Sequence, residues 1–150
     1  MLLLLLIVLS FPVLCMGESA IQSEGNMSYI ITSEGAVIID WDNQLPDVLD
    51  ATLYVPPTLG GIPVVGIGFD AFDTCNEGPS TQFQLILPEG ITFLEKGAFQ
   101  CCNQATVISL PSTLETIPEG SFIHVTAEIV FPNGNPYFTA ENLSLIHISE

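Results

Sequence analysis

Apolar side chains fall at alternate positions in short runs that end in proline. Leu85 and Leu87 precede Pro88, Ile108 and Leu110 precede Pro111, and Ile129 and Phe131 precede Pro132; Leu53-Tyr54-Val55-Pro56 opens the series. Alternation with a period of two predicts a short strand buried on one face. Proline, which has no amide hydrogen to donate, ends the ladder at that point. Each of the first three runs is followed by an aliphatic residue (Ile67, Leu94, Ile117) and then by a phenylalanine (Phe72, Phe99, Phe122) preceded by a small residue. Superposing LILPEGITFLEKGAFQCC on ISLPSTLETIPEGSFIHV puts Pro88 on Pro111, Leu94 on Ile117, Gly97 on Gly120 and Phe99 on Phe122, all 23 residues apart. The copy that opens at Leu53 carries the insertion TLGGIPVVG before Ile67, and Pro132 of the fourth copy lies 21 residues after Pro111.

A repeat in the low twenties with paired aliphatics lies in the leucine-rich-repeat range, where one unit cannot bury its apolar face and stacked units share a core. The fold expected is an α/β solenoid. Its strands form a short parallel sheet, and Glu-Gly before Phe122 or Asp-Ala before Phe72 makes a tight turn followed by a helical or irregular turn. The expected repeat core is Leu85, Leu87, Leu94, Phe72, Phe99, Ile108, Leu110, Ile117 and Phe122. Upstream, Tyr29-Ile30-Ile31 and Ala36-Val37-Ile38-Ile39 flank Thr32-Ser33-Glu34-Gly35 and read as a β-hairpin capping the stack. The expected organisation is an exposed leader over 18–28, a β cap over 29–52, and repeats over about 53–84, 85–107, 108–128 and 129–142.

On these motifs the chain resembles the BspA-like (Treponema-type) leucine-rich-repeat family from about Tyr29 to Leu143. VPPTLGGIPVVGIGFDAF is similar to the family's opening repeat and FPNGNPYFTAENLSL to its irregular later one. Ala105 in place of leucine, Val125 in place of cysteine, and the polar stretch from Asn76 to Gln82 depart from the pattern. The resemblance implies a secreted or cell-surface protein engaged in adhesion and in host or matrix contact. It assigns no functional residues, because the matching positions are scaffold.

Composition narrows the partners. One basic residue, Lys96, stands against 17 Asp plus Glu, for a formal charge of −16. Nucleic acid is excluded as a partner because its phosphates need Lys and Arg, and so is polybasic docking on an anionic membrane. Candidate chemistry is sparse. Cys75 and Cys102 occupy equivalent positions three residues after a phenylalanine and are expected to stack in successive turns, either as packed thiols or as a disulfide. Cys101, pointing the other way, is expected to be partly exposed, and Cys101-Cys102 lacks metal-binding spacing. His124 has no nucleophile elbow around it. Asp40, Asp42, Asp47 and Asp50 crowd one stretch without the register of a calcium loop. Trp41 and Tyr54 are the large aromatics near the first coil, expected in core or cap packing. No cofactor, metal or catalytic residue is expected.

Both ends stand apart. Met1–Leu14 is an apolar run shorter than the roughly 20 residues needed to span a bilayer, and Cys15-Met16-Gly17 follows it. A signal peptide over 1–17 is expected, with an uncleaved anchor as the alternative. LSLIHISE, residues 143–150, resembles a translated sequencing-library adapter; that tail is expected to be non-native and the chain a fragment. His147 is set aside with it. The functional expectation is a secreted or cell-surface module presenting a pre-formed surface to an extracellular protein or matrix component. Gln84, Ile86, Thr106 and Ser109 lie on the outward strand face, and no membrane span is expected once the signal is removed. The alternative is a repeat module that targets a truncated extracellular enzyme.

Overall fold

A computed structural model describes residues 20–42, 44–45, 51–73 and 81–139. Residues 1–17, where a signal peptide was expected, the 143–150 tail, Cys75, Asp47 and Asp50 lie outside the described residues. The strands are β1 (Gln22–Glu24), β2 (Met27–Ile31), β3 (Ala36–Trp41), β4 (Ala51–Tyr54), β5 (Thr58–Leu59), β6 (Ile62–Ile67), β7 (Phe83–Ile86), β8 (Phe93–Leu94), β9 (Ala105–Ser109) and β10 (Glu128–Val130).

Each proline-terminated run supplies one strand of a parallel sheet, in the order β10-β9-β7-β4. The chain then turns at the proline and enters a second, mixed sheet. There β1, β2 and β3 are antiparallel, β3 pairs β6 in parallel, and β6 pairs β8 in parallel. An isolated parallel bridge between Phe93 and Thr116 carries that ladder into the next repeat. The segment read as an exposed leader holds β1, whose residues are exposed, and Met27, which is buried. The hairpin β2–β3 is an integral part of the mixed sheet, because β3 pairs directly with the first repeat's β6.

The expected α/β solenoid with helical turns is overturned: no described residue is helical, and the fold is all-β. The backbone amides give the reason. Around Phe99, the amides of Ala98, Gln100 and Cys102 bond locally to the carbonyls of Glu95, Gly97 and Phe99, each three residues back. The intervening amides of Gly97, Phe99 and Cys101 bond instead to Gly120, Ser121 and Ile123 of the following repeat, at 3.1, 2.9 and 2.8 Å. A helix needs every one of these donors for its own i→i−4 ladder; here alternate donors tie neighbouring repeats together. Cys101 and His124, at equivalent positions, also have φ of 57°, a left-handed conformation that stops helix propagation. The return segments are therefore turns forming a third hydrogen-bonded side.

The core lies between these three sides. Phe72, Phe99 and Phe122 form a column, with ring centroids 5.5 and 5.3 Å apart. Trp41 closes it at the N-terminal end, 5.7 Å from Phe72 and 5.3 Å from Phe83. Leu85, Leu87, Leu94, Ile108 and Leu110 are buried around the column, and Ile117 is partly buried against it. At roughly 2–3 kcal/mol for each fully buried phenylalanine, the column is a major source of cohesion between repeats.

Candidate interaction surface

The outward face of the parallel sheet is set by strand register. Leu53, Leu85 and Ile108 pair in one inward row. The alternate residues form two outward rows, Thr52–Gln84–Val107–Glu128 and Tyr54–Ile86–Ser109–Val130. A register shift places Phe83 opposite Ala105 but Gln84 opposite Val107, so Thr106 is an extra residue in β9. Its hydroxyl donates to the Phe83 carbonyl at 3.1 Å.

Of the four residues predicted to line this face, Gln84 and Thr106 are exposed and Ile86 is half-buried. Ser109 is a correction. It lies in the Ile86 row but is buried, at 9 % exposure, because it is flanked in the sheet by Ile86 and Val130. Tyr54 is a second correction. It is 68 % exposed in the same row, where core or cap packing was expected. Its neighbour Leu53 is inward, so strict alternation along β4 was the signal that could have found it.

At the end of these strands the turns are cross-braced. The Glu89 carboxylate accepts from the Ser112 amide and hydroxyl, the Thr113 amide and the Asn133 side chain, at 3.2, 2.9, 3.2 and 3.0 Å. The Asn133 hydrogen bond first, with those from Ser112 and Thr113, holds the Glu89 carboxyl below its ordinary pKa against a partly opposing desolvation. Asn135 donates to the carbonyls of Pro111, Ser112 and Leu114, while its own oxygen accepts from the amides of Tyr137 and Phe138. These side chains join three successive repeats.

Of the two readings of Cys102, the packed thiol fits and the disulfide falls, and the expectation for Cys101 is corrected. Cys102 is free and fully buried, which rules out a Cys75–Cys102 disulfide. Cys101, expected to be partly exposed, is buried at 6 % exposure and is disulfide-bonded. Burial pushes the Cys102 thiol up to about 12, leaving it protonated and a poor nucleophile. His124 is exposed, and among the described residues no three His, Cys, Asp or Glu side chains are grouped to hold a metal.

The chain is similar in fold to a leucine-rich cell surface protein. The solved structure is that of such a protein from Faecalibacterium prausnitzii A2-165, with a TM-score of 0.50 at 19 % identity. The match covers 77 % of this chain and 34 % of that one, so the chain spans about a third of its neighbour's length. No family model matches the chain, and no curated protein matches it in sequence. The likeness bears on the leucine-rich architecture and does not reach the finer Treponema-type assignment. Among the described residues no helix is long and apolar enough to cross a membrane.

Proposed function

We propose that this protein is a secreted or cell-surface binding module that presents a pre-formed face to an extracellular protein or matrix component, without catalysis of its own. The observation that carries the reading is the fixing of the repeats that open at Leu53, Leu85 and Ile108 to one another on all three sides, with the fourth joined through β10 and the Asn133 and Asn135 side chains. Thr52, Tyr54, Gln84, Ile86 and Thr106 are displayed on strands held by the parallel ladder and by the Glu89 and Asn135 braces. A partner docking there orders little, so less of its contact energy is lost to entropy. Tyr54, exposed and flanked by Ile86, is the natural anchor, since aromatic side chains dominate binding hot spots. The fold likeness to a leucine-rich cell surface protein supports the location.

The test is binding of the purified chain to a panel of matrix glycoproteins and mucins by surface plasmon resonance. Saturable binding to at least one is expected, with Tyr54→Ser lowering affinity about tenfold, or roughly 1.4 kcal/mol. A folded chain that bound none of them at moderate salt would refute the reading.

A further inference from the structure

The second sheet presents its own outward face, built differently from the first. Across it, paired residues run Ile30–Val37–Gly66–Phe93–Thr116. Val37 alternates with the core residues Ala36 and Ile38 and so points away from the core; it is nonetheless 4 % exposed. Gly66 is what lets the row close over. A Cβ there would fall inside the contact radius of the Phe93 ring, so the ring tip rests on bare backbone. Gly68, two residues on, lies against backbone: a Cβ there would be 2.9 Å from the Ile38 carbonyl oxygen, with the Ile39 methyl and a Glu95 carboxylate oxygen at 3.4 and 3.7 Å. The result is a low apolar patch of the half-buried Ile30, Ile39, Val65 and Phe93 around the buried Val37.

Carboxylates rim this patch. Asp40 pairs with Ser28 at one side and is exposed. Glu95 accepts the Phe69 amide at 2.9 Å, which holds its carboxylate in place. Glu115 is exposed beside the Phe93–Thr116 bridge. The chain's one cation, Lys96, has its Cε near Gly120, on the turn side. A formal charge of −16 leaves the rim without internal compensation.

We propose that this face docks a basic amphipathic helix of a protein partner. An apolar centre inside an acidic rim is complementary to an apolar stripe flanked by Lys and Arg. A helix suits a sheet face because it satisfies its own backbone hydrogen bonds, whereas an added strand would need a sheet edge. Four inter-strand steps of about 4.8 Å make the row about 19 Å long, which a helix of about 13 residues spans at 1.5 Å per residue. The proposal rests on the reading of the protein as a binding module but uses a face other than the one containing Tyr54.

The probe is a synthetic 14-residue leucine–lysine amphipathic helix, measured by fluorescence anisotropy at low and moderate salt. The controls are the same composition scrambled and a leucine–glutamate version. Saturable binding of the lysine helix alone is expected. Phe93→Ala and, separately, the paired Glu95→Gln and Glu115→Gln change should each weaken it at least tenfold, with Tyr54→Ser neutral. The glutamine pair keeps an acceptor for the Phe69 amide and leaves the core untouched, so it reports even if Phe93→Ala unfolds the chain. Equal binding of the scrambled peptide, or indifference to the glutamine pair, overturns the proposal. Matrix binding that persists while the lysine helix fails to bind overturns it too, and leaves the function proposed above standing.

Discussion

Phe99 and Phe122 lie face to face with their ring planes 6° apart and centroids 5.3 Å apart, one phenylalanine from each of two successive repeats. Phe99 also stacks on Phe72, so it is the middle member of the column. Phe99→Ala is expected to cost about 3–5 kcal/mol, read as a lower denaturation midpoint in urea. A loss below about 1 kcal/mol would mean the column does not hold the repeats together.

Asp70 has a φ of 52° where the equivalent residues Gly97 and Gly120 have 75° and 85°. One of its carboxylate oxygens is buried with no hydrogen-bond partner among the described residues. Desolvation, with Asp73 adding repulsion, raises its pKa. Glycine relieves both the backbone strain and the buried charge, so Asp70→Gly is expected to stabilise the fold by about 1 kcal/mol. Unchanged or reduced thermal stability would count against this account.

Acid titration separates two carboxylates of opposite sign. The folded protein holds a proton on Asp70 more tightly than the unfolded chain does. Its contribution to stability therefore falls as pH rises through the window between the ordinary and raised values. Glu89 is held below its ordinary value, so its contribution is present at neutral pH and is lost as pH falls through the lowered value. Glu89→Gln should flatten the acid limb of a stability–pH curve and cost roughly 1 kcal/mol at neutral pH, modest because the site is open to solvent. Asp70→Gly should remove the opposing slope. An acid limb unchanged by Glu89→Gln would contradict the brace.

Cys102 is expected to resist alkylation in the native protein at pH 8 and to react fully once the chain is unfolded. Burial both blocks access and keeps the thiol protonated. Mass spectrometry after iodoacetamide treatment reads the difference. Rapid native labelling of Cys102 would show that this corner of the core opens readily.

The repeats were legible because their signals are local. Proline after alternating aliphatics marks β7, β9 and β10, and the 23-residue step aligns Phe99 with Phe122. The all-β character was not legible, because it depends on where the amides of Gly97, Phe99 and Cys101 find their acceptors. Those acceptors belong to the next repeat, and a run such as Lys96-Gly97-Ala98-Phe99 looks equally fit for a helical turn. The mixed sheet was missed for a similar reason. Phe93–Leu94 is too short to show alternation, and becomes a strand only because β6 lies alongside it. On the candidate surface, Gln84 followed from alternation with Leu85, whereas Thr106 shares the parity of the inward Ile108 and is exposed only because of the bulge, and the burial of Ser109 depends on the neighbouring strands.

The bonds from Gly97, Phe99 and Cys101 to the following repeat run along the direction in which the repeats pile up, as do those of the parallel sheet. Tension between the two ends of the pile would therefore stretch each row in line and peel repeats away singly, like pages from a pad. A sideways tug would load an entire row in shear and meet far greater resistance. Such a molecule would give way gradually when pulled lengthwise, yet keep its flank rigid against a load dragged across it.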